Sequence, residues 1–129
     1  TDLGYAARAE GLYTQARGFA SHSQNSYTIA NGTGSHSEGL GSIAEATASN
    51  AGGVYSKATH TGELSRASGC FSTNGDAQFS LIPFFGITTA SGPQELFIDG
   101  VSERLKIYKN SIWYLLIEKQ NNEKQKPLS

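Results

Sequence analysis

The chain is poor in cysteine, in charge and in long apolar segments. Its one cysteine, Cys70, excludes an internal disulfide and cannot form a zinc site unaided. Charged residues make up 16% of the 129 residues and the net charge is −1, so nothing attracts nucleic acid or an anionic membrane. The richest apolar runs, 79–87 and 112–117, have the length of strands. We therefore expect no nucleic-acid partner and no membrane insertion.

Small residues recur in the sequence with a period of fourteen. The recurring alanines are Ala16, Ala30, Ala44 and Ala58, and Ser72 occupies the next position. Between residues 6 and 75 the candidates for burial are almost all alanine, glycine, serine and threonine, which bury little apolar area. The period predicts an array of small units that bury their faces against each other. Because one such column is marginal alone, we expect several chains to associate.

A fourteen-residue period fits two structures, a coiled coil or one flattened coil of a β-solenoid. The segment lacks large apolar residues at heptad spacing and contains many glycines, each of which costs a helix about 1 kcal/mol. Two short strands and two turns also total about fourteen residues. Ser35 and Ser37 flank His36 with the alternation of a strand, and Gly39, Gly53 and Asn25 tolerate the positive φ of turns. The sequence predicts an all-β solenoid.

Three short motifs resemble the head repeats of trimeric bacterial adhesins and of related phage tail-fibre proteins. They are Ser35-His-Ser-Glu-Gly39, Ala9-Glu-Gly11 and Thr28-Ile-Ala-Asn-Gly32. The resemblance implies a trimeric, left-handed, parallel β-roll over residues 5–75. The fourth and fifth coils depart from the pattern, because Gly53-Val-Tyr and Gly62-Glu-Leu lack the His-Ser-Glu core.

A second module is predicted over residues 76–118, where larger apolar residues replace the small ones. Four apolar runs indicate strands, and Asp99-Gly100 and Asn110-Ser111 have turn chemistry. The segment is similar to the distal domain of phage tail-fibre proteins, on Gly75-Asp-Ala-Gln78, Glu95-Leu-Phe-Ile-Asp-Gly100 and Asn110-Ser-Ile-Trp113. We expect a small antiparallel β module that clasps three chains, followed by a polar tail at 119–129.

His22 and His36 share one column of the repeat, and Glu38 lies two residues after His36. If this column faces a threefold axis, as matching apolar residues do in adhesin heads, each layer brings three imidazoles or three carboxylates together. Such a layer can bind a metal or a trapped anion. The alternative is a polar contact with a neighbouring chain or with solvent. We predict the polar contact at the trimer axis, with no metal and no cofactor.

Two further columns are candidates for surface contacts. Tyr13, Tyr27 and Tyr55 are amphipathic rings suited to protein or sugar contacts, although packing at strand edges explains them equally well. A threonine column, formed by Thr33, Thr47 and Thr61, is typical of ice-binding solenoids as well as of ordinary cross-strand hydrogen bonding.

No constellation of residues predicts catalysis. The chain has no nucleophile elbow, P-loop or dinucleotide fingerprint, and no carboxylate pair in a setting that would raise one pKa. We therefore expect a structural and adhesive fibre segment that presents a receptor-binding surface to a host-cell glycan or protein. A glycan-degrading tailspike fragment and an ice-binding solenoid are the alternatives.

The expected localisation is a virion tail fibre or a bacterial cell surface. This expectation follows from the resemblance alone. The chain begins at Thr1 without a methionine or a leader, so we expect it to be a fragment and its first residues do not indicate a localisation.

Overall fold

The computed structural model describes residues 3–85 and 97–98. Over these residues all regular elements are β-strands and none is a helix. The strands, in chain order, are β1 (Arg8–Leu12), β2 (Gln15–Ala16), β3 (His22–Ser26), β4 (Ile29–Ala30), β5 (His36–Ser37), β6 (Ile43–Ala44), β7 (Asn50–Val54), β8 (Lys57–Ala58), β9 (Leu64–Ser68), β10 (Gln78–Leu81), β11 (Phe84–Phe85) and β12 (Phe97–Ile98).

The chain winds into a β-solenoid of about four turns, as the repeat predicts. Each coil contributes one strand to a six-stranded sheet, ordered β1-β3-β5-β7-β9-β10, and one to a four-stranded sheet, ordered β2-β4-β6-β8. Neighbouring coils pair in parallel with a register of fourteen residues, so that His22 lies beside His36 and Ile29 beside Ile43. The pairing continues from β7 to β9, through the coils that depart from the adhesin-like motif. The left-handed winding and the three-chain state stay predictions.

The interior between the two sheets contains only small side chains. Every fully buried apolar residue among those described is an alanine. These are Ala16, Ala30, Ala44, Ala51 and Ala58. The other buried positions are serines and threonines, together with Glu63 at the last coil. Strand alternation explains this selection, because every second residue points inward and the two sheets leave room for little more than a methyl or hydroxymethyl group.

Hydrogen bonds within the interior satisfy many of its hydroxyl groups. Ser23 Oγ lies 2.8 Å from Thr28 Oγ1, and Ser37 Oγ donates to the carbonyl oxygen of Ser42 at 2.7 Å. At the turns, Ser21 donates to the carbonyl oxygen of Gly18 at 2.8 Å. A buried hydroxyl without a partner destabilises a fold, so these bonds explain how a polar interior is tolerated.

Positive φ occurs at the three residues where the sequence predicts it, although Asn25 and Gly53 lie within β3 and β7 and only Gly39 follows its strand. Asn25 has a φ of 82°, Gly39 of 94° and Gly53 of 90°. A Cβ atom on Gly39 would also collide with the carbonyl oxygen of Gly53 in the next coil. Glycine is therefore required there for two reasons, namely its left-handed conformation and the close approach of the neighbouring coil.

At the last strand of the four-stranded sheet, a side-chain amide takes the hydrogen bonds that a further strand would make. In successive coils the amides of Gln15, Ile29 and Ile43 donate to a carbonyl oxygen of the following coil at 2.9–3.0 Å. The amide of Lys57 instead donates to Gln78 Oε1 at 2.7 Å, and Gln78 Nε2 donates back to the carbonyl oxygen of Lys57 at 2.8 Å. The amide of Gln78 thus occupies the place of the missing fifth strand.

The six-stranded sheet ends differently, since β10 pairs antiparallel with β9. The segment that begins at residue 76 therefore continues this sheet before β11 and β12 form a separate antiparallel pair. The strands predicted beyond residue 100 lie outside the described residues. Cys70 shares the sequence column of Ser56, whose position predicts a buried thiol, but it is half-buried because it follows the end of β9 at Ser68.

Because the interior is narrow, we predict that it tolerates a larger side chain poorly. Ala44→Leu places three extra carbons where Ala44 is fully buried against Ala51 and Ala58, and we expect a loss of about 2 kcal/mol or more in the free energy of unfolding. Chemical denaturation followed by circular dichroism measures this. Thr47→Leu, on an exposed turn, is the control and should change stability by less than about 0.5 kcal/mol. Equal tolerance of both substitutions would contradict the narrow interior.

Because Gln78 hydrogen-bonds the last strand of the four-stranded sheet, we predict that removing its side-chain amide lowers the free energy of unfolding. Gln78→Leu leaves the amide and carbonyl of Lys57 without partners, and the free energy of unfolding should fall by about 1–2 kcal/mol in the same denaturation experiment. Gln15→Leu is the matched control, because Gln15 Oε1 makes no hydrogen bond. If both variants lose the same stability, the amide of Gln78 does not end the sheet in the way described.

Candidate functional site

The predicted site residues His22, His36 and Glu38 lie on the outer face of the six-stranded sheet. Ser23 and Ser37 of the same strands are fully buried, so strand alternation turns the histidines outward. The fourteen-residue register then places His36 directly beside His22. The structure therefore brings together the residues that the repeat places in one column.

The two imidazole rings contact each other. Their centroids are 4.9 Å apart and their planes are tilted by 60°. The Nε2 atoms of both rings are shielded from solvent and make no hydrogen bond. The nearest carboxylate oxygens belong to Glu10, 3.7 Å from His22 Nε2, and to Glu38, 3.8 Å from His36 Nε2. Each Nε2 atom therefore lies near a carboxylate of its own chain without a hydrogen bond to it.

Glu38 is the centre of a polar network that joins side chains from three coils and spans four. Gln24 Nε2 donates to its Oε2 at 3.1 Å, and Arg66 Nη1 lies 2.6 Å from its Oε1. Arg66 lies two coils after Glu38. Its guanidinium group passes over Gly52 of the intervening coil, and a Cβ atom on Gly52 would collide with that guanidinium. A glycine in this column therefore makes the long ion pair possible.

These contacts shift the pKa values of two groups in the cluster. Burial, and after it the neighbouring His22, hold the pKa of His36 below its ordinary value, while Glu38 acts in the opposite direction. Burial raises the pKa of Glu38, but the hydrogen bonds from Arg66 and Gln24 outweigh it, so that this pKa is also lowered. At neutral pH the cluster therefore holds a neutral His36 beside an ionised Glu38.

A metal centre would need three or more ligands converging on one point. Among residues 3–85 and 97–98, no group of three or more histidine, cysteine, aspartate or glutamate side chains has that arrangement. What one chain offers here is a set of hydrogen-bonding and ion-pairing groups on a flat sheet face.

The predicted contact tyrosines lie apart from this face, in the turns that leave the six-stranded sheet. Tyr13, Tyr27 and Tyr55 are 66%, 54% and 37% exposed. Tyr13 and Tyr27 stack with their ring centroids 5.1 Å apart. The rings are exposed, and their role as contact residues stays a prediction.

Sequence reasoning missed a second cluster, at the last coil. Glu63 is only 2% exposed, and its Oε2 accepts hydrogen bonds from the amides of Thr59 and His60 at 2.7 and 2.9 Å. His60 lies at a turn position of the repeat, which predicts simple exposure, but its Nδ1 atom lies 3.0 Å from the same oxygen. The available signal was that Glu63 occupies the column of the buried Ser35 and Ser49.

The lowered pKa of His36 predicts a loss of stability in mild acid. The unfolded chain binds a proton on this histidine at a higher pH than the folded chain, so the stabilisation is complete above the ordinary histidine pKa and falls as the pH decreases through it. The thermal unfolding midpoint should therefore fall between about pH 7.5 and about pH 5.5, a window that lies above the ordinary pKa of glutamate.

His36→Asn is the matched variant, because the chain itself carries Asn50 at the equivalent position of the next coil. This variant should lose less of its unfolding midpoint over the same pH window. An identical pH dependence of the variant and the native chain would show that His36 does not carry the effect.

Within the described residues, no helix has the length and apolar character needed to cross a bilayer.

Comparison of the chain with protein-family models, with curated proteins and with solved structures finds no match.

Proposed function

We propose that this chain is a segment of a homotrimeric fibre whose role is structural and adhesive. The fibre would belong to a phage tail or to a bacterial surface and would present a receptor-binding surface outside the cell. The observation that carries the proposal is the distribution of apolar residues. The described part of the chain fully buries no apolar side chain larger than alanine, yet exposes eleven large ones.

This distribution favours an assembly over a monomer. Alanine side chains remove little apolar area from water, at about 25 cal/mol per Å², so one solenoid gains little from its own interior. Large apolar side chains left exposed are typical of surfaces that contact other molecules. Association of identical chains through the outer face of the six-stranded sheet would cover those that lie on that face, such as Phe79 and Leu81 of β10.

The outer face with His22, His36 and Glu38 is the face that we assign to the axis. Its three side chains are 32%, 33% and 28% exposed, so a neighbouring chain can pack against their outer surfaces. The resemblance of Ser35-His-Ser-Glu-Gly39 to the head repeats of trimeric adhesins supports the same orientation. The segment from residue 76 would act as the clasp of the three chains.

Sedimentation equilibrium of the full chain tests this proposal. We expect a mass three times the 13.7 kDa of one chain. His36→Glu, which adds a carboxylate to each chain at the proposed axis, should lower that mass because like charges would face one another. Asn31→Glu, an exposed position on the other sheet side, should leave it unchanged. A native chain that sediments as a stable monomer would refute the proposal.

A further inference from the structure

One edge of the solenoid carries an uncharged ridge of large side chains. The tyrosine ridge consists of the four turns 11–13, 25–27, 39–41 and 53–55, none of which contains a charged residue. Five of the exposed large apolar residues belong to it. They are Leu12, Tyr13, Tyr27, Leu40 and Tyr55. Because the turns repeat with the coils, the ridge runs along the whole described solenoid.

The rings of the tyrosine ridge cover each of its four coils. Tyr13 and Tyr27 stack with an interplanar angle of 29°. The third coil has Gly41 at the same position, and the ring of Tyr55 covers it: a Cβ atom on Gly41 would lie 2.5 Å from Cδ1 and Cε1 of Tyr55. Aromatic surface therefore extends over about 14 Å, at the usual strand spacing of about 4.8 Å.

These tyrosines occupy a backbone conformation that disfavours them. Tyr13, Tyr27 and Tyr55 have φ values of 54°, 56° and 59°, whereas Gly41 takes a φ of 64° at the same position without strain. Glycine at all four turns would be the relaxed choice. Bulky residues kept in left-handed conformations are typical of functional sites.

The shape and chemistry of the tyrosine ridge indicate which kind of ligand fits it. A protein interface usually involves about 20–30 residues on each side, far more than this narrow edge offers. The absence of charge disfavours a charged polymer. A surface that repeats along one direction fits a ligand that also repeats, and tyrosine pairs an apolar ring with a hydroxyl that donates or accepts a hydrogen bond.

We propose that the tyrosine ridge binds an uncharged glycan of hexose units, whose apolar C–H faces lie on the rings and whose hydroxyls bond to the phenol groups. This inference rests on the proposed adhesive function and names the class of its receptor. The ridge lies at an edge of the solenoid rather than on the sheet face assigned to the trimer axis, so it stays accessible in the assembly.

The test uses the full chain and defined probes. Hexasaccharides of α-1,4-glucose, β-1,4-glucose, β-1,3-glucose and mannose are arrayed beside a hyaluronan hexasaccharide as the anionic comparator, and the strongest binder is titrated by calorimetry. We expect binding to at least one neutral probe in preference to hyaluronan. The double variant Tyr13→Gly and Tyr27→Gly should weaken it by roughly tenfold or more.

Two controls separate binding from folding. The glycine variants adopt the conformation already seen at Gly41, so their thermal unfolding midpoint should stay close to that of the native chain. Tyr5→Ser removes a tyrosine that is more exposed than those of the ridge and stacks on Phe19 instead, and it should leave glycan binding intact.

Three results would overturn the inference. They are failure of every neutral probe to bind, unchanged binding by the double variant, and a fall in the sedimentation mass of that variant, which would make the ridge an interface between copies. Glycan binding by a monomeric native chain would instead refute the trimer and leave the ridge assignment standing.

Discussion

The narrow space between the two sheets is the constraint from which the other features of this structure follow. It admits alanine, serine and threonine, so the interior contributes hydrogen bonds and close packing but little apolar burial. The hydroxyls of Ser23 and Ser37 find partners inside, with side-chain and backbone oxygens of the same coil, whereas those of Ser35, Ser56 and Ser65 are buried without one. Among the described residues, the larger side chain of Glu63 is buried only at the last coil.

The same constraint places the candidate site residues on the outside. Half of the strand positions and most turn positions face outward, and the fourteen-residue register aligns them into columns. A column then becomes a linear array of one chemistry, as with the paired imidazoles of His22 and His36 or the stacked rings of Tyr13 and Tyr27. Such arrays suit symmetric association on a sheet face and a repeating ligand on an edge.

The repeat predicted the solenoid, its register, its inward residues and its turns, because a fixed period states directly which residues are neighbours. It did not predict contacts that skip a coil or break the period. The ion pair of Arg66 with Glu38 depends on Gly52 between them, and the hydrogen bonds of Gln78 with Lys57 depend on a side chain that imitates backbone. The buried Glu63 follows no rule of the column that it occupies. Of the strands predicted after residue 100, none lies within the described residues.

The central claim is that one chain's interior is too thin to stabilise it alone. The thermal unfolding midpoint of the full chain, measured over about a hundredfold range of protein concentration, tests this most directly. An assembly that folds only by association predicts a midpoint that rises with concentration. A midpoint that is independent of concentration down to the most dilute sample would contradict the account.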